Sequence, residues 1–167
     1  MNPKSPFTQF ISICSHRDWL LIAILPLIIS VAISIGLYFG EIISVAQYLI
    51  DIVPVISSIL LGFLGMIMVA SLSNNSVFDK MRGTPIKIKN ETISAYRVFF
   101  IGLFFNLLLF VILLTVSLIF GSINSSFILI PPVAVVEVVI ILFLLISSSL
   151  LFIWNTDRVY QVTIHLS

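Results

Sequence analysis

The sequence predicts an all-α integral membrane protein of four transmembrane helices, with both termini cytoplasmic and short strand-like segments on that side. Three observations carry this expectation. The 167 residues are 60% hydrophobic and 9% charged, whereas a soluble domain averages about 25% charged residues. The mean hydropathy of +1.25 makes lipid the solvent for most of the chain. Four apolar runs reach spanning length, and every Lys and Arg falls on one side of them.

The runs cover roughly 19–39, 53–72, 97–120 and 133–154, each near the ~20 residues that a spanning helix needs. Three regions follow: an amphipathic N-terminus at 1–18, a four-helix membrane domain at 19–154 with a loop at 73–96, and a tail at 155–167. The eight basic residues are Lys4, Arg17, Lys80, Arg82, Lys87, Lys89, Arg97 and Arg158. The connections at 40–52 and 121–132 contain none. By the positive-inside rule the termini and the 73–97 loop are cytoplasmic, which suits a bacterial inner membrane. Trp19, Tyr96 and Trp154 mark the inner interface as an aromatic belt.

Before the first span, Phe7, Phe10, Ile11 and Cys14 recur at helical spacing behind Ser5-Pro6, a cap and first-turn pair. A short helix on the cytoplasmic surface is expected there. The first apolar run is too long for a cleavable signal peptide, and no A-x-A-like site follows it. In the first two spans, Pro26 and Pro54 are tolerable because neighbouring helices satisfy the freed carbonyls. Ala32, Gly36 and Gly40, then Ser58 and Gly62 with Gly65 nearby, repeat at a spacing that lets helix backbones approach, within the chain or between copies. "EIISVAQYLIDI", 41–52, places Glu41, Ser44, Tyr48 and Asp51 on one helical face. It reads as an outer interfacial helix or as an extension of the second span past Pro54.

Within the loop, "PIKIKN" alternates apolar and basic residues, and the tail "RVYQVTIHLS" alternates likewise. Period two predicts strands, with Tyr160, Val162, Ile164 and Leu166 on one side and His165 on the other. The two strands could pair, or the tail could add to a partner's sheet. Lys80, Arg82, Lys87 and Lys89 suit either a soluble cytoplasmic partner or anionic headgroups.

Inside the spans, polar groups are few. Glu137 lies about 25 Å from Trp154 along a helix, near the outer edge of a ~30 Å core. With Glu41 and Asp51 it makes the outer face acidic. Either all three are interfacial side chains in water, or they form a mouth that gathers cations. Asn106, about 13 Å in from Arg97, is the deep polar residue, and it reads as packing glue or as a conduction site. Ser147, Ser148 and Ser149 are expected to bond back to their own helix. Cys14 stands alone, which excludes an internal disulfide and any multi-cysteine metal site. No P-loop, H-E-x-x-H or nucleophile with a base occurs, so no enzyme activity, cofactor, metal or direct nucleic-acid binding is expected.

The stretch "SSILLGFLGMIMVASLSNNSVFDKMRG", 57–83, resembles a segment of small four-span bacterial membrane proteins, some from antiphage defence loci, including membrane subunits of the Kiwa type. The resemblance implies an inner-membrane sensor that oligomerises and controls a cytoplasmic partner. It carries over no functional residues. Three functional readings follow: a non-enzymatic sensor or anchor, an oligomeric pore that depolarises the membrane, and a carrier using Glu137 and Asn106. The anchor is favoured because the patterned polar residues gather on the cytoplasmic side.

Overall fold

A computed structural model describes residues 6–73, 76–88, 91–126 and 130–164. Short helix α1 (Pro6–Ile13) precedes α2 (His16–Trp19), a π-helical turn (Leu20–Ile24) and α3 (Leu25–Tyr38). Then come α4 (Ile42–Leu72), α5 (Ser76–Gly83), strands β1 (Pro85–Ile88) and β2 (Glu91–Ser94), α6 (Ala95–Ser126) and α7 (Pro131–Ile164). Four segments are long and apolar enough to span a membrane: His16–Tyr38, Ile42–Leu72, Ala95–Ile123 and Pro131–Asp157. All four overlap the expected spans.

The first span starts at Ser15. Its hydroxyl accepts from the Asp18 N–H at 3.2 Å, and the Ser15 N–H donates to Asp18 Oδ2 at 2.8 Å. This reciprocal capping box satisfies two N–H groups that no helical carbonyl reaches. The π turn lies just before Pro26, where the Leu25 N–H donates to the Leu20 carbonyl five residues back. Proline lacks an N–H and its ring crowds the preceding turn, so a locally widened helix accommodates it. In α4, Pro54 sits inside an unbroken 31-residue helix. Residues 42–52 are therefore an extension of the second span rather than a separate helix.

Helix α7 is the hub, packing against α3, α4 and α6, while α4 also packs on α6 and touches α3 little. One face of α7 explains this role. Glu137, Ile141, Leu144, Ser148, Leu151 and Asn155 are all buried, at alternating spacings of four and three. On α6 the matching buried series is Phe99, Leu103, Asn106, Phe110, Leu113 and Ser117. Such spacing keeps one seam facing a neighbour along a slightly inclined helix pair. The largest apolar cluster joins Val53 and Leu64 of α4 to Leu103 and Leu113 of α6 and Ile141 and Leu144 of α7.

Three expectations are corrected. The tail is not a strand: α7 continues without a break to Ile164, so Tyr160, Val162 and Ile164 are helical positions, and a period-two pattern has no common side on a helix. The strand β1 does form, but it pairs antiparallel with β2, with Ile86 opposite Ile93 and Lys87 opposite Thr92. Helix α1 exists, yet it is not a bare surface helix. Phe10, Ile13 and Cys14 are buried with Val98, Ile101, Phe105 and Leu151, and the Phe10 ring stacks on Phe105 with centroids 4.2 Å apart. Ile11, expected on that apolar face, is instead 42% exposed.

Candidate functional site

The bundle has a basic and an acidic end, and each holds part of the candidate machinery. At the basic end α5 and the β1–β2 hairpin are held against the helices by Arg82. Its guanidinium donates to Asp79 Oδ1 at 2.7 Å and to the Ser71 carbonyl at 3.2 Å. It also lies 4.8 Å from the centroid of the Tyr96 ring. One planar side chain thus joins the end of α4, the body of α5 and the start of α6. The fork of guanidinium donors makes this possible, since an ammonium is a single point charge. The Ala95 N–H donates to the Thr84 carbonyl at 2.9 Å, closing the hairpin onto α6. Phe78 stacks on Phe99 and meets Tyr96 edge-on, so α5 is also seated by aromatic contact.

Of the expected docking residues, Lys80 is exposed on α5 and Lys87 lies in β1. Arg82 is exposed and engages Asp79, the Ser71 carbonyl and the Tyr96 ring. Tyr160, Val162 and Ile164 lie in α7, whereas Lys89, His165 and Leu166 lie outside the described residues.

Asp18 is a structural residue that sequence reasoning missed. Besides capping its helix, its Oδ1 accepts from Trp154 Nε1 at 3.0 Å. The bond ties the start of the first span to α7. The signal was available, because Ser15-x-x-Asp18 before an apolar run is a capping-box pattern.

At the acidic end the three carboxylates separate. Glu41 and Asp51 are exposed, and ten helical residues place them about 15 Å apart along α4. Glu137 is 1% exposed. It does not face water or headgroups, but sits on the α7 stripe beside Ala134 and Val138, which pack with Ile42 and Ala46. The trio therefore presents no common open surface within one copy of the chain.

Asn106 is buried at 0% exposure, and Asn155, which the sequence analysis did not single out, is buried at 2%. The serines divide as follows: Ser148 and Ser149 bond back to the Leu144 and Leu145 carbonyls, while Ser147 Oγ makes no such bond. Between Glu137 and Ser148 the α7 stripe is filled by Ile141 and Leu144, both buried. That apolar layer spans eleven residues, about 16 Å. The interior polar groups on α7 therefore form two sets rather than one path.

The small-residue repeats are not used for packing among the described residues. A Cβ added at Gly36, Gly40, Gly62 or Gly65 would meet nothing within 4 Å. The close approach in the first span is instead made by Ser30 and Ser34, both fully buried, where α3 packs on α7. Each serine also donates to a carbonyl four residues back, at 2.8 Å.

No protein-family model, curated protein or solved structure matches the chain. Function therefore has to be argued from these residues. Among the described residues, no group of three His, Cys, Asp or Glu side chains is placed to hold a metal ion.

Proposed function

We propose that the protein is a non-enzymatic membrane anchor whose basic end, lying in the cytoplasm, holds a soluble effector, with several copies assembling in the bilayer. The observation that carries this reading is the Arg82 clasp. The clasp fixes α5 and the hairpin to the bundle and so makes a platform from what would otherwise be a loop. Beside it α7 runs on for ten residues past Trp154, about 15 Å of helix. A platform and a projecting helix on one membrane face suit docking better than transport. The outward-facing Gly36, Gly40, Gly62 and Gly65 leave room for helices of other copies. The likeness of 57–83 to proteins of antiphage defence loci points the same way, toward a sensor that releases or restrains its effector.

A pore is the competing reading. One chain offers it little, since Ile141 and Leu144 interrupt the interior polar groups of α7. Only the exposed Glu41 and Asp51, gathered around a symmetry axis, could form its mouth. Removal of residues 159–167 separates the two. The anchor predicts that a soluble protein co-purifies in fixed ratio with the full chain and is lost on truncation, while membrane insertion is unchanged. Cation flux through the purified full chain in liposomes, with no such partner, would replace the anchor by the pore.

A further inference from the structure

Asn106 and Asn155 are the carboxamides among the buried side chains whose polar atoms make no hydrogen bond within the described residues, alongside the hydroxyls of Ser57 and Ser147. Ser30, Ser34, Ser117 and Ser148 are buried and each donates to a carbonyl of its own helix at 2.7–2.8 Å. The two carboxamides are as deeply buried, yet neither the oxygen nor the nitrogen of either bonds any described protein group. Each carboxamide carries two N–H donors and an acceptor oxygen. Hydrocarbon offers them nothing, so a partner has to be found within the protein.

Gly102 fixes where one of them lies. A Cβ there would overlap Asn155 Oδ1 and come within 2.8 Å of its Cγ and 3.0 Å of its Nδ2. The Asn155 carboxamide therefore rests on the bare backbone of α6, in a notch that exists because residue 102 has no side chain. Asn106 follows Gly102 by four residues, one turn onward on the same side of α6, a separation of about 6 Å along the axis. One water that donates and accepts bonds of about 2.8 Å can join polar atoms up to about 5.6 Å apart.

We propose that Asn106 and Asn155 together hold an ordered water molecule in the seam between α6 and α7. Water fits the chemistry, because it donates and accepts at once and the two carboxamides supply both kinds of partner. It also fits the surroundings. Phe105 and Leu151 pack with α1 on one flank, and Phe99, Leu103 and Leu144 belong to the main core on the other. An ion would need charge or more ligands, and these apolar neighbours supply neither. Ser147 Oγ is unbonded too, but lies eight residues from Asn155, about 12 Å, beyond the same water's reach.

The test is an experimental structure of the intact protein in lipid nanodiscs, at a resolution that shows ordered water, with a double-mutant cycle of Asn106→Leu and Asn155→Leu. Density within hydrogen-bonding distance of a polar atom of both carboxamides is expected. So is a coupling of at least threefold in the unfolding equilibrium constant between the two substitutions. The proposal is overturned if the carboxamides bond each other directly, if each turns onto a helix carbonyl with no density between, or if the substitutions are additive. Should either variant not fold, the structure of the unsubstituted protein decides alone.

Discussion

Replacing Arg82 with Ala would release the platform without disturbing the spans, and the contacts give the size of the effect. The ion pair with Asp79 is half exposed, and such a pair contributes about 0.2–1 kcal/mol. The guanidinium over Tyr96 adds about 0.5–1 kcal/mol at a surface site. The bond to the Ser71 carbonyl is longer, at 3.2 Å, and adds about 0.5–1.5 kcal/mol. The three share one side chain and are not additive, so a total near 2 kcal/mol is reasonable. That corresponds to roughly thirtyfold in the opening equilibrium of α5 and the hairpin. Amide hydrogen exchange reads this directly. In Arg82→Ala the protected amides within 76–94, and that of Ala95, should exchange roughly thirty times faster, with those deep in α6 and α7 unchanged. Arg82→Lys keeps the charge but not the fork, and should recover less than half of the protection. Unaltered exchange across α5 and the hairpin in Arg82→Ala would refute the clasp, and with it the argument for a fixed platform.

The first span offers a paired test: Gly36→Leu should leave the melting temperature of the monomeric bundle within about 1 °C, because its surroundings are open. Ser34→Leu at a fully buried site should cost about 1–3 kcal/mol by overpacking, read as a lower melting temperature in detergent. Trp154→Phe removes the donor to Asp18 and should destabilise the bundle by about 1 kcal/mol. Trp154→Phe combined with Asp18→Asn should then cost little more than Trp154→Phe alone.

Hydropathy made the four spans legible, and the placement of Lys and Arg made the two ends distinguishable. The faces of the helices were not legible, for a reason specific to lipid. In water a buried face is marked by apolar residues, but α4, α6 and α7 are apolar nearly all round, so hydrophobicity carries no phase. The buried side is marked instead by the rare polar residues, with Glu137, Ser148 and Asn155 falling on one stripe of α7 and Asn106 and Ser117 on one of α6. Reading Glu137 by depth alone put it at the right end and on the wrong side. The glycine spacing left open whether the partner helix lies within the chain or in another copy, and the described contacts leave the glycines outward. The tail failed for a kinetic and thermodynamic reason. A helix that has already been nucleated lengthens at small cost, and neither Pro nor Gly interrupts α7 after its second residue. Its alternating Val, Tyr and Ile would favour a strand only if an edge were offered, and β1 is already paired with β2.

The arrangement of α3 bears on the order of events during synthesis. Its main neighbour is α7, and α4, which follows it directly, touches it little. The Trp154–Asp18 bond that joins the two spans closes over 136 residues. At about 5–20 residues per second, a ribosome needs roughly seven to thirty seconds to make that stretch. A first span already in the bilayer over that interval would turn Ser30 and Ser34 toward lipid, their hydroxyls covered by the carbonyls of their own helix. Back-bonding therefore does more than tidy the finished interior. It lets a helix wait in hydrocarbon for a partner that has not yet been translated.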